Sequence, residues 1–270
     1  MKLSMEISSF TPDAIHPFLA LAKDEGWIST RRELAFLLER SPDGCLVCHE
    51  EGWPVGFITA VRHGRSAWIG NLLVKAGSRG RGIGTRLFKQ AMLIMQRDGA
   101  ETVWLTASSY GRPIYERNGF IACDQVRRWE RVGIADEQSE PGMAIKQDWQ
   151  EIDYLGWGDS RNELLDFAAA NGTAVGAEQG FLVIQRLGKD RQIGPFGALT
   201  SVAAALLLEK SLKYTGRLLL DVPSSNRAAS KLLTSQGFTV SGEVDLMFAG
   251  RPPAYHPEHI YGFASMGSMG

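Results

Sequence analysis

Between Ile83 and Met95 the apolar positions recur with a helical period: Ile83, Leu87, Ala91 and Ile94 form one stripe, which Phe88, Met92 and Met95 widen. Asp98-Gly99 ends that helix. Upstream the period shortens. Apolar stretches broken by Glu51-Gly52 and His63-Gly64 predict strands over 44–49, 54–62 and 66–74, an antiparallel meander. Ahead of it one helix covers Pro12 to Glu25. A second opens at Thr30, where Glu33 stands three residues on and Leu34, Phe36, Leu37 and Leu38 follow, the pattern of a capping box. Beyond the long helix the pattern gives a strand over Thr102 to Ala107, a short helix around Pro113 to Arg117, a stop at Asn118-Gly119, and a further strand.

Periodicity fails over 132–150, which carries a Pro-Gly pair, and then the order partly repeats. A helix over 159–170 stops at Asn171-Gly172; strands follow over 173–177, 181–187 and 191–196, then a helix over 199–213, a strand over Arg217–Val222 and a helix over Asn226–Ser235. Gln236-Gly237-Phe238 closes the second run as Asn118-Gly119-Phe120 closes the first, a repeat of about 118 residues and so a tandem duplication. The predicted class is α+β: two domains, 1–131 and 151–270, each a mostly antiparallel mixed sheet flanked by helices, with 132–150 as linker. A length of 270 residues agrees, at about 150 residues per domain.

Composition narrows the partners. With 44% hydrophobic and 22% charged residues the chain can bury a core, and 29 basic against 30 acidic residues remove any broad electrostatic case for nucleic acid or an anionic membrane. Three cysteines make no disulfide framework, which points to a reducing cytoplasm. The opening MKLSMEISSF lacks the apolar run of a signal peptide, and Gln192–Leu208 is too broken for a membrane span.

The stretch that carries chemistry is Leu72-Leu73-Val74, a short turn, then Arg79-Gly80-Arg81-Gly82-Ile83-Gly84-Thr85 leading into the long helix. A strand that ends in a glycine-rich loop and opens a helix offers unpaired amides and the positive end of a helix dipole to an anion. The alternative is a glycine turn serving chain reversal alone. Thr85 stands where a dinucleotide fingerprint begun at Gly80 needs its last glycine, and no Gly-Lys-Ser/Thr follows for a nucleotide triphosphate loop.

Spaced as Arg-x-x-Gly-x-Gly, Arg79, Gly82 and Gly84 resemble the pyrophosphate motif of the GNAT superfamily of N-acetyltransferases, and Tyr115-Glu116-Arg117-Asn118-Gly119-Phe120 resembles its second signature, Tyr-x-x-x-Gly-Phe. The resemblance implies acetyl-CoA as co-substrate, held by Leu72, Leu73, Val74, Arg79, Gly80, Arg81, Gly82, Ile83, Gly84 and Thr85 together with Ser108, Gly111 and Tyr115. It implies direct attack of an amine on the thioester, Tyr115 as general acid, and amides near Leu73 and Val74 as oxyanion donors. Relatives carry an acidic residue on the strand before the loop, but here it reads Trp68-Ile69-Gly70-Asn71; Asn71 is left to order a relay water, with Glu25 or Glu33 as open candidates for the base. Trp27 is a candidate for the acceptor site. Many relatives have an asparagine at the position of Ser108.

Over 155–265 the resemblance is weaker, resting on Asn226-Arg227-Ala228-Ala229 and Gly237-Phe238. Where the second cradle is expected stands Ile193-Gly194-Pro195-Phe196-Gly197-Ala198; Pro195 lacks an amide hydrogen, and Leu233 replaces the tyrosine. The second domain is therefore expected to shape the acceptor site without catalysing. The expected partners are acetyl-CoA and an amine acceptor, with no metal, nucleic acid or membrane, in a monomer or dimer. A non-catalytic acyl-CoA sensor is the alternative. Cys45 and Cys48, at an odd offset in a strand, are expected to be structural thiols; His256 and His259 lack a third ligand; and Arg127–Arg131 is expected on a solvated strand edge.

Overall fold

The computed structural model describes residues 5–133, 146–214 and 216–270. Most of the expected linker, 134–145, lies outside the described residues, as do residues 1–4. By contacts the chain divides into two compact units, Met1–Trp104 and Leu105–Gly270.

The first unit runs β1 (Met5–Ser9), α1 (Ile15–Asp24), α2 (Arg31–Arg40), β2 (Leu46–Glu50), β3 (Trp53–Arg62), β4 (Ser66–Val74), α3 (Ile83–Arg97) and the start of β5 (Thr102–Ala107). β1 to β4 pair in sequence order and antiparallel, which fulfils the meander and adds an edge strand at Met5–Ser9 that the pattern did not reveal. β5 joins β4 in parallel, because α3 carries the chain back across the sheet between them. The capping box forms: the amide of Glu33 donates to Thr30 Oγ1 at 3.1 Å. Ile83, Leu87, Phe88, Ala91 and Met95 are buried on α3, and the helix lies so close to β3 that a Cβ on Gly56 would meet Ile83 Cγ2 at 2.8 Å. Phe10, Phe18 and Phe57 cluster under α1, with the Phe18 and Phe57 rings edge to face at 5.4 Å.

The second unit contains α4 (Arg112–Glu116), β6 (Ile121–Gly133), α5 (Gln147–Trp157), α6 (Asn162–Ala170), β7 (Gly172–Ala177), β8 (Gly180–Leu187), β9 (Asp190–Ala198), α7 (Ser201–Ser211), β10 (Gly216–Pro223), α8 (Arg227–Ser235), β11 (Thr239–Gly250) and β12 (Ile260–Gly262). Its strands lie in the order β11-β6-β10-β9-β8-β7, with β12 on β9. The expectation of a solvated edge for Arg127–Arg131 is corrected here. β6 is paired along both sides, to β10 and to β11, so it is an interior strand and not an edge. Arg128 grips the fully buried Asp221 with two bonds of 2.8 and 2.7 Å, Arg127 pairs with Glu243 at 2.7 Å, and Trp129 enters the core beside Leu207, Leu220 and Leu233. A smaller cluster stacks Trp149 of α5 on Phe181 at 5.8 Å; only glycine fits at 176, where a Cβ would lie 2.1 Å from the Trp149 ring. Among the described residues no helix is long and apolar enough to cross a membrane.

Candidate active site

β4 carries an irregularity just before the glycine loop. Its register against β3 shifts between Thr59↔Gly70 and Phe57↔Leu73, so one extra residue is accommodated at Asn71-Leu72, and Asn71 takes the left-handed conformation with φ 56°. The buried Asn71 side chain secures the bulge, its Nδ2 donating to Thr59 Oγ1 at 3.0 Å. Leu73 is buried, while Leu72 and Val74 are half-buried and face the start of α3, where a Cβ on Gly84 would touch both.

Eight residues separate Val74 from Ile83. Lys75 N bonds Val55 O at 2.8 Å, Ser78 N bonds Lys75 O at 2.8 Å, and the chain then turns through Gly80 (φ 77°) and Gly82 (φ 79°), conformations that glycine adopts without penalty. Nothing lies within 4 Å of a Cβ built on either glycine, so the concave side of the loop is open. Gly82 is the N-cap of α3 and offers no side chain to the helix; the first helical bond is Arg86 N to Gly82 O at 3.0 Å, which leaves the amides of Ile83, Gly84 and Thr85 without an acceptor in the helix. Three orphan amides at a positive helix end, with exposed glycines beside them, suit a pyrophosphate.

The arginines are more constrained than the sequence suggested. Arg79 Nε donates to Val74 O at 2.9 Å and its guanidinium pairs with Glu25 at the end of α1, while Arg81 pairs with Glu50. Glu25, an open candidate for the base, is thus the partner of a cradle arginine. Glu33 sits in the first turn of α2. Trp27 follows Gly26 (φ 74°), its amide closing α1 on Ala22 O at 2.9 Å, and 41% of it is exposed.

Ser108, Gly111 and Tyr115 belong to the second unit. The carbonyl of Ser108 accepts from the amides of Gly111 (3.0 Å) and Arg112 (2.9 Å), and Ser108 Oγ also accepts from Gly111 N at 3.3 Å, so Ser108 starts α4. The Tyr115 ring lies over Gly111, where an added Cβ would sit 3.2 Å from Cε2 and 3.7 Å from the hydroxyl oxygen. Burial pushes the Tyr115 phenol up to about 12. Gly119 (φ 85°) lets the chain fold back so that Phe120 N reaches Tyr115 O at 3.1 Å. Arg112 fixes α4 from outside, bonding Glu116 at 2.7 Å and Asp245 of β11 at 2.9 Å; no local signal joins Arg112 to a residue 133 positions away.

The second copy reproduces the frame and omits the loop. Leu233, Gly237 (φ 77°) and Phe238 repeat Tyr115, Gly119 and Phe120, with Phe238 N bonding Leu233 O at 3.0 Å. β9 repeats the bulge, its register shifting between Ile184↔Ile193 and Leu182↔Phe196. The strand expected over 191–196 forms as part of β9, which runs on to Ala198 through the stretch where a second cradle would stand, and Pro195 sits at the bulge, where a missing amide costs no ladder bond. Only Leu199 and Thr200 separate β9 from α7, and Thr200 Oγ1 accepts from Ala203 N at 3.2 Å, occupying the helix end with the chain's own side chain.

Elsewhere, Cys45 and Cys48 are buried free thiols, and burial lifts Cys45 to about 12. His256 Nδ1 lies 3.4 Å from Glu258, and among the described residues no group of side chains could hold a metal ion.

This geometry is that of an acyl-CoA-binding fold, and comparison with known proteins gives the family. An acetyltransferase (GNAT) domain profile matches residues 41–122 and a second such profile matches 150–262. The chain belongs to the GNAT acetyltransferases and carries two domains of that family in tandem. Among its relatives, a Pyrococcus horikoshii protein provisionally classed as an acetyltransferase has a crystal structure that superposes with a TM-score of 0.85 at 26% identity, over 98% of this chain and 95% of that one. An uncharacterized N-acetyltransferase of Bacillus subtilis is 23% identical over 75% of this chain and 76% of its own length. Another from Methanocaldococcus jannaschii is 32% identical over 36% of this chain, a match spanning about half (47%) of that protein. A GCN5-related N-acetyltransferase of Sphaerobacter thermophilus shares the fold, with a TM-score of 0.60 at 16% identity over 92% of this chain and 96% of that one.

Proposed function

We propose that this chain transfers an acetyl group from acetyl-CoA directly to a primary amine, on a small molecule or on an exposed lysine or amino terminus. In this reading the domain at 1–131 catalyses and the domain at 151–270 does not. The supporting observation is the contrast between two strand-to-helix junctions. Eight residues with two left-handed glycines and open amides follow β4, whereas two residues with a threonine on the amide end follow β9.

When bound, acetyl-CoA supplies an activated thioester. The amides of Ile83, Gly84 and Thr85, flanked by Gly80, Gly82, Arg79 and Arg81, hold its pyrophosphate. Leu72, Leu73 and Val74 give the strand edge for the pantetheine arm, and the amides at Leu73 and Val74 serve as oxyanion donors. Ser108 and Gly111 build the turn that carries Tyr115. An alkylammonium acceptor with a pKa near 10.4 is neutral about once in 2,500 molecules at pH 7, a penalty of roughly 4.6 kcal/mol that the site must relieve. β4 offers no carboxylate between Trp68 and Asn71 and Glu25 is engaged by Arg79, so Asn71 Oδ1 is assigned to a water that carries the proton away. The Tyr115 hydroxyl then hydrogen-bonds the sulfur as it leaves and stabilises the thiolate.

The test is acetyl-CoA turnover, followed as thiol release, against polyamines, amino acids, amino sugars and lysine peptides, with calorimetric stoichiometry of CoA. Turnover with one acceptor class and one CoA per chain is expected. Tight CoA binding with no turnover on any acceptor would favour an acyl-CoA sensor, and two CoA per chain would refute the silent second domain.

A further inference from the structure

The second unit holds a gap between strands, and the chain fills it itself. β8 covers one edge of β9 from Asp190 to Ala198. On the other edge β10 pairs in parallel only at Leu218↔Arg191 and Leu219↔Gln192, after which the two strands diverge. β12 enters this wedge. It pairs antiparallel with β9 at Ile260↔Gly197 and Gly262↔Phe196, and the next residue crosses to the other wall, where Phe263 N donates to Asp221 O of β10 at 2.8 Å.

The insertion is tight and anchored. A Cβ on Gly194 would lie 1.8 Å from Phe263 O, and one on Gly262 would lie 2.7 Å from Ile193 O. Asn226, which caps α8 by accepting from Ala229 N at 2.9 Å, uses Nδ2 to donate to Ile260 O at 2.9 Å. Gln185 Nε2 bridges Gly194 O (2.6 Å) and Ala264 O (2.9 Å). Ile260, Tyr261 and Phe263 are buried, with the Phe263 ring edge-on to Trp157 at 4.9 Å. β4 has the same form in the first unit, paired with β5 only from Ser66 to Trp68.

We infer that Ile260–Phe263 is a built-in ligand, occupying in the second domain the wedge that receives the pantetheine arm in the first. The chemistry matches, since an extended chain bearing amides pairs with a strand edge whether it is peptide or pantetheine. The inference rests on the acetyl-CoA reading for the identity of the wedge, whereas its occupancy by β12 does not. The second domain is then closed to acyl-CoA twice, by the absent phosphate loop and by the strand in the slot.

Residue-resolved amide hydrogen exchange on the full chain, with and without saturating CoA, tests this. The Phe263 amide should be protected as strongly as the β9 amides without ligand, and CoA should leave that protection unchanged. Asn226→Ala should speed exchange at Phe263 about tenfold, the effect of one buried hydrogen bond, while CoA affinity stays as in the parent chain. Rapid exchange at Phe263 in the parent chain, or a change in its protection on adding CoA, would overturn the inference. A chain that binds no CoA yet protects Phe263 would remove the acetyl-CoA reading and leave the filled wedge standing.

Discussion

Replacing Tyr115 by phenylalanine removes one oxygen from a ring whose carbon framework stays packed against Gly111 and Phe120. Burial holds the phenol at about 12, so near pH 8 only about one molecule in 10,000 is ionised and the acid is ready to act. A thiol of ordinary pKa near 8.5 is the stronger acid of the two, and complete transfer from phenol to thiolate runs uphill by roughly 5 kcal/mol. In the proposed mechanism Tyr115 would therefore help by bonding the growing charge on sulfur rather than by full donation, which puts the expected effect at the low end for an acid: a fall in kcat of about 100-fold, or roughly 2.7 kcal/mol. Steady-state thiol release at saturating acetyl-CoA, from pH 6 to 10.5, reads it, together with calorimetric CoA affinity, which should not change. An essential acid loses activity as pH rises through its pKa, so the parent enzyme should show no alkaline limb from Tyr115 below about pH 11. Full turnover in the variant, or a limb near pH 10 that the variant lacks, would refute the argument.

Gly84→Asp places a negative charge among the cradle amides at an ordinary backbone conformation, with the new Cβ at 3.6 Å from Val74 Cγ2; calorimetry should show CoA binding weakened at least about 100-fold while thermal stability holds or rises, since an acidic residue suits a first helical turn. Asp221→Ala removes the fully buried carboxylate that accepts two bonds from Arg128 and one from Gln192, and urea unfolding should register a loss of about 3 kcal/mol. Cys45 keeps its proton to about 12 when folded but releases it from about 9 when unfolded, so stability should decline as pH climbs above 9, by up to about 1.4 kcal/mol per pH unit for this group; a urea midpoint no lower at pH 10 than at pH 8 would contradict it.

The elements with strong periods were legible in the chain. The stripe from Ile83 to Met95, the meander and the matched closures at Gly119-Phe120 and Gly237-Phe238 all follow from local pattern. The strand through Gly194-Pro195 was legible as well, but not that it bulges there, since only the pairing with β8 shows the extra residue. β1 was hidden by its polar, exposed positions, and β12 by its brevity. At the site, the open amides could be read from glycine spacing. The partners of Arg79, Arg112 and Arg128 could not, because they lie 54, 133 and 93 residues away and only the tertiary fold selects them.

The pairing of Arg79 with Glu25 and of Arg81 with Glu50 bears on how an anion meets the loop. Each pair is a dipole rather than a free charge, and its field dies away faster with distance than that of a lone guanidinium, well within a Debye length of about 8 Å. If the loop holds a pyrophosphate, as proposed, these pairs would draw it in little from afar, and its contacts with the two guanidiniums would compete with the carboxylates already there. Since Glu25 lies two residues from Trp27, the same competition would, on the proposed reading, free a carboxylate close in sequence to the exposed indole when the acyl donor binds.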